Sequence, residues 1–126
     1  MASGGVYNDM GHITLVVDDE PLVRKYITSI LRREHLETVE AEDGAEGLRM
    51  VRELGAALDL IVSDIQMPNV DGVAFALAAK EAFPELPILL ISGCGEAHAD
   101  FDFLKKPFHP STFLERVRSL RASTPR

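Results

Sequence analysis

The chain has 126 residues, 46% of them hydrophobic, and a mean hydropathy of +0.04, a composition that fits one compact domain and leaves no length for a second. Twenty acidic against thirteen basic residues give a formal net charge of -7 and a pI near 5.0, which argues against direct nucleic-acid binding and favours cations or basic partner surfaces. The single cysteine, Cys94, excludes an internal disulfide, and no apolar run is long enough to span a bilayer, so a cytoplasmic chain without membrane insertion is expected.

Residues 1–12 lack the apolar segment of a signal peptide and read as a flexible leader; residues 13–122 carry the folded pattern, and 123–126 form a tail. The runs Ile13–Val17, Leu60–Ser63 and Ile88–Ser92 are almost continuously apolar, as expected of parallel strands buried on both faces. Between the first two, Leu22, Val23, Tyr26, Ile27, Ile30 and Leu31 recur at helical spacing behind Pro21, which suits a first turn, and predict a helix over 21–34. Residues 36–41 alternate as a shorter strand. A second helix is predicted over 45–54, after the turn signal Asp43-Gly44 and before the stop at Gly55. A third, over 72–83, ends at Pro84; 101–105 reads as the last strand and 110–122 as the last helix, with Pro110 at its start. Alternating strands and helices predict a doubly wound five-stranded parallel sheet, in which ligands bind outside the carboxyl ends of the strands.

Chemistry is therefore expected at those ends, where Asp18 and Asp19 follow the first run and Asp64 the third. Three converging carboxylates repel one another, and a hard divalent cation with oxygen ligands relieves that repulsion. Mg2+ (or Mn2+) suits the set, because Mg2+ takes one or two carboxylates while keeping waters and substrate phosphate oxygens. Ser92 ends the fourth strand with a hydroxyl donor, and Lys106 follows the fifth with a point charge that can reach a phosphate oxygen. A carboxylate nucleophile, a metal, a lysine and a hydroxyl suit the formation of an aspartyl phosphate.

The motifs VVDDEP (16–21), SDIQMPNVDG (63–72), LLISG (89–93) and FLKKPF (103–108) occur in order on alternating elements, and with them the sequence resembles the receiver domain of bacterial response regulators. The resemblance covers residues 13 to about 122. It implies a flavodoxin- or CheY-like sheet of order 2-1-3-4-5. It also implies that Asp64 is the phosphoacceptor, that Asp18, Asp19, Asp64 and the backbone carbonyl of Gln66 hold the metal, and that Ser92 and Lys106 bind the phosphoryl oxygens. Phe103 matches the aromatic switch position, acting with Ser92, and the bond to Pro107 is expected to be cis. The implied donor is a histidine kinase or histidine phosphotransfer protein.

Simpler roles stay open for several of these residues. Asp18 and Asp19 can serve as caps of the helix at Pro21. Phe103 can be plain core packing, Lys105 is expected to be solvated on the opposite side of its strand, and His12, His35, His98 and His109 lack metal-ligand spacing. Cys94 has no histidine partner at a meaningful spacing. Only thirteen residues separate Ser92 from Lys106, and with the last strand starting near Phe101 eight remain for the crossover, below the roughly 10–12 that a crossover with its helix needs, so the fourth helix of the receiver pattern is expected to be missing or reduced to about one turn. A phosphorylation-independent interaction module of the same fold is the competing function. A phosphohydrolase with an aspartyl nucleophile would need a second acid where Gln66 stands.

Overall fold

The computed structural model describes residues 12–67, 70–93 and 100–123. Its strands are β1 (Ile13–Val17), β2 (Glu37–Ala41), β3 (Leu58–Asp64), β4 (Ile88–Ser92) and β5 (Asp102–Lys105). Its α-helices are α1 (Pro21–Arg33), α2 (Gly44–Leu54), α3 (Gly72–Ala82) and α4 (Pro110–Ser123), and a short 3-10 turn spans Gly55–Ala57. All strand pairs are parallel and the sheet order is β2-β1-β3-β4-β5, as the resemblance implies.

The three apolar runs become the three inner strands. Every residue of β3 and β4 is buried, whereas the edge strands β2 and β5 are only partly buried, with one buried residue each. Inner strands must be apolar on both faces because helices cover both. On one face Val16, Leu60, Val62, Leu89, Ile91 and Leu104 pack beneath Ile27, Ile30 and Leu31 of α1 and Phe113 and Val117 of α4. On the other, Leu15, Val17, Ile61 and Leu90 pack beneath Val51 of α2 and Phe75, Ala76 and Ala79 of α3. Each core is built around one fully buried phenylalanine, Phe113 or Phe75, and truncating either to alanine would cost about 3–5 kcal/mol.

Local chemistry sets the helix ends. Pro21 opens α1 with its φ already helical and no N–H to satisfy. Asp43, read from sequence as part of a turn, is the N-cap of α2: its carboxylate accepts the Glu46 N–H at 2.8 Å, and the Glu46 side chain reaches back to the Glu42 N–H at 2.8 Å. Asp71 caps α3 in the same way, through the Ala74 N–H at 2.8 Å. At the end of α1 His35 takes a positive φ of 63°, with its N–H on the Arg32 carbonyl and that of Leu36 on the Leu31 carbonyl, a closure usually made with glycine.

Most predicted boundaries fall within one residue of the observed ones, and β3 departs further. Strand β3 begins at Leu58, two residues earlier than its apolar run, because the acidic residue within it, Asp59, is buried against Arg121 of α4. Strand β5 begins at Asp102. Nine residues, 93–101, join β4 to β5, and the described residues include no helix there. The reduced fourth helix was expected over a stretch whose residues 94–99 lie outside the described residues, as do most of the leader and the end of the tail. Among the described residues no helix is long and apolar enough to cross a membrane.

Candidate functional site

Strand β1 lies between β2 and β3, so the chain crosses over in opposite directions from it and leaves a crevice at the carboxyl ends of β1 and β3. Asp18 and Asp19 leave β1 into that crevice, and Asp64 is the last residue of β3. One carboxylate oxygen from each of the three lies within 4.8 Å of the others. Asp18 and Asp64 are buried, while Asp19 is exposed.

Lys106 completes the cluster. Its Nζ stands 3.5 Å from Asp18 Oδ2 and 3.5 Å from Asp64 Oδ1. The lysine arrives there because the Lys106 N–H donates to the Ser92 carbonyl at 2.9 Å, prolonging the ladder between β4 and β5 by one residue. Ser92, buried at the end of β4, thereby sits beside it. The Lys106–Pro107 peptide bond is cis.

Three negative charges against one positive leave a balance of two, which a single divalent ion matches. Burial raises the carboxyls of both Asp18 and Asp64 above the usual range. The Glu20 N–H and Lys106 pull Asp18 back down and Lys106 does the same for Asp64, but burial prevails in both. Asp18 spends one oxygen locally, since Oδ1 accepts the Glu20 N–H at 2.9 Å. Its Oδ2 is buried and makes no hydrogen bond among the described residues, although Lys106 stands near. A buried carboxylate oxygen left in that condition is costly, and a cation bound by the three aspartates would remove the cost. The donor set, all oxygen and anionic, fits Mg2+ or Mn2+ and disfavours softer metals.

Asp18 and Asp19 do not cap α1. Its N-cap is Glu20, which makes no side-chain capping hydrogen bond, and the Asp18 carboxylate tightens the turn ahead of the helix instead. Gln66 lies exposed in the loop two residues beyond Asp64. Phe103, half-buried on β5 opposite Leu90, packs on the α2 and α3 side of the sheet, and its carbonyl accepts Nη1 of Arg116 at 2.9 Å. Lys105, the last residue of β5, is exposed. His12 pairs with Glu37 at the opposite end of β1, at 2.9 Å, while Cys94 and His98 lie outside the described residues.

Two contributors were not apparent from sequence. Gly72 opens α3 directly against the Asp64–Ile65 peptide, and a Cβ there would lie 2.0 Å from the Asp64 carbonyl oxygen. Arg24 donates from Nη1 to the Asp18 carbonyl at 2.7 Å and from Nε to Glu40 at 2.8 Å. The glycine of the SDIQMPNVDG motif was a signal for the first; the second needed the pairing of β1 with β2.

The family model of the response regulator receiver domain matches residues 14–118, and the chain belongs to that family, the receiver domains of two-component signal transduction. The transcriptional regulatory protein ResD of Bacillus subtilis is 35% identical over 115 residues, 84% of this chain and 46% of ResD. The receiver domain of the hybrid histidine kinase CckA is 34% identical and superposes with a TM-score of 0.79, over 86% of this chain and 98% of that one. The response regulator TrrA of Thermotoga maritima, solved in complex with Mg2+-BeF, is 28% identical with a TM-score of 0.79, over 86% of this chain and 97% of that one. The chain spans about half or less of the length of the curated relatives it matches.

Proposed function

We propose that Asp64 accepts a phosphoryl group from a phosphohistidine on a histidine kinase or histidine phosphotransfer protein, in the cytoplasm, and that the phosphorylated domain changes a partner-binding surface. The observation that carries this reading is the meeting of three strand-end aspartates within 4.8 Å and one lysine 3.5 Å from two of them. Mg2+, when bound, would be held by Asp18, Asp19, Asp64 and the Gln66 backbone carbonyl, and would neutralise charge on the phosphoryl oxygens.

The side chains divide the remaining work. An Asp64 oxygen forms the new bond to phosphorus as the bond from phosphorus to the donor imidazole nitrogen breaks, the electron pair leaving with the imidazole. Lys106, already beside Asp64, supplies a positive charge to the oxygens of the transferred group. The Ser92 hydroxyl donates to one of them. Those two contacts exist only when the phosphoryl group is present, so they favour one arrangement of the loops and of Phe103 over another. No second acid stands two residues beyond Asp64, where Gln66 lies, so the chain is a switch that slowly loses its own phosphoryl group and not an enzyme with an external substrate.

Beside Lys106, Val23, Tyr26, Gly93, Pro107 and Phe108 line an open, largely apolar groove of about 620 Å3, and Leu22, which precedes Val23 in α1, is 83% exposed. Phe108 is supported from beneath by Phe113, with ring centroids 5.2 Å apart. A donor protein docking on this face of α1 would bring its phosphohistidine to the carboxylate cluster.

Beryllofluoride, the phosphoryl mimic held by TrrA, tests the reading. Amide NMR spectra of this chain should change at the carboxylate cluster with Mg2+ alone, and at Ser92 and Phe103 only when Mg2+ and beryllofluoride are both present. Spectra unmoved by the pair, or moved equally in Asp64→Asn, would refute it.

A further inference from the structure

Residues 18–20 are three consecutive carboxylates, Asp18, Asp19 and Glu20, in a turn that delivers two of them to the site. Mutual repulsion drives such a turn outward, so something must hold it. Its N-terminal side is fixed by the Asp18 N–H on the Ala41 carbonyl at 3.1 Å, which extends the pairing of β1 with β2. The carbonyl of Asp18 has a different fastening, Nη1 of Arg24, one turn into α1, at 2.7 Å.

That guanidinium is itself held. Its Nε donates to Glu40 Oε1 at 2.8 Å, and the Arg24 side chain is only 15% exposed. Glu40 belongs to β2 and precedes Ala41, so the arginine ties the acidic turn to the neighbouring strand at a second point. A guanidinium suits this because its planar fork places two donors at fixed positions, whereas an ammonium is a single point charge on a flexible stem and fixes the geometry less well. Which oxygen of Asp18 is used also matters. Arg24 takes the backbone carbonyl and leaves the carboxylate to the cluster, whereas an arginine free to swing would pair with the carboxylates and compete with a cation.

We propose that Arg24, held by Glu40, is a positioning residue that fixes the Asp18–Asp19 turn in the geometry that takes the divalent cation and keeps its own charge out of the carboxylate cluster. The inference rests on the cluster being a divalent-cation site, as read above.

Removing Arg24 alone would mix two opposed effects, because loss of a positive charge strengthens cation binding while loss of the fastening weakens it. Two substitutions leave the net charge unchanged and separate them: Arg24→Lys, and Arg24→Met combined with Glu40→Gln. Mn2+ binding to the whole chain, followed by the electron paramagnetic resonance of the free ion at fixed ionic strength, is the readout. Both variants should bind Mn2+ about tenfold more weakly than wild type, the loss typical of partners that orient metal ligands. Uptake of phosphoryl from a small donor should recover as the metal concentration is raised. Affinities equal to wild type, with only a lower melting temperature, would make the contact a structural brace and overturn the proposal. Where circular dichroism shows the double variant unfolded, Arg24→Lys decides by the same criterion. Wild type that fails to bind Mn2+, or that binds it no better than Asp18→Asn does, would instead overturn the cation site itself, and the role of Arg24 with it.

Discussion

Gly72 lies so close to Asp64 that the first residue of α3 and the last residue of β3 share one contact surface, with the Gly72 N–H on the Ile65 carbonyl at 2.7 Å. A Cβ at Gly72 would stand 2.0 Å from the Asp64 carbonyl oxygen and 2.6 Å from Ile65 Cα. Both neighbours are backbone, so neither can rotate away, and alanine must push α3 off the strand end or push the strand end out of line. Gly72→Ala is expected to cost about 2–3 kcal/mol, at the upper end of overpacking penalties. At temperatures where it is still folded it should also lose affinity for Mg2+. Urea unfolding and metal titration check the two effects, and a variant that melts and binds like wild type would show that the junction gives way easily.

The carboxylate cluster sets a sign for the pH dependence. Burial raises the Asp18 and Asp64 carboxyls, so the folded chain holds their protons to higher pH than the unfolded chain does. The stabilising contribution is complete below the ordinary carboxylate range and is lost as pH rises through the raised folded values. In metal-free buffer at neutral pH, Asp18→Asn should therefore melt higher than wild type, by about 3–6 °C if the gain is roughly 1 kcal/mol. Adding Mg2+ should raise the melting temperature of wild type and reverse the order, because only the intact cluster binds the ion with full affinity. Calorimetry in chelator and in Mg2+ measures both halves; an Asp18→Asn variant less stable than wild type without metal would contradict the first.

Far from the site, Arg121 donates from Nε and Nη2 to Asp59 Oδ2 at 2.9 and 2.6 Å, joining α4 to the start of β3. The two partners are not equivalent. Asp59 is 5% exposed, whereas the Arg121 side chain is 33% exposed and can return to water. Arg121→Met leaves a buried carboxylate without its guanidinium and should cost about 3 kcal/mol, while Asp59→Asn should cost about 1–2 kcal/mol. Urea midpoints of the two variants check this, and the reverse ranking would mean that water reaches Asp59.

Much of this was legible in the sequence because burial on both faces forces a plain signal. Ile13–Val17 and Ile88–Ser92 are strands at the predicted boundaries, and Asp18, Asp19, Asp64 and Lys106 converge because parallel strands end side by side. What escaped were residues whose meaning depends on a distant partner. Asp59 is a poor strand residue until Arg121, 62 positions later, neutralises it. Arg24 looks like any polar residue on an amphipathic helix until β2 brings Glu40 alongside. Gly72 follows an aspartate as in many turns, and only the approach of Asp64 shows that its lack of a side chain is required.

The central claim is that Asp64 takes a phosphoryl group, and intact-protein mass after incubation with acetyl phosphate tests it most directly. Wild type, Asp64→Ala and Lys106→Ala would each be treated with and without Mg2+. The predicted result is the gain of one phosphoryl group in wild type alone, dependent on Mg2+, stable in acid and lost in base. A gain that persists in Asp64→Ala would place the phosphoryl group on another residue and contradict the account.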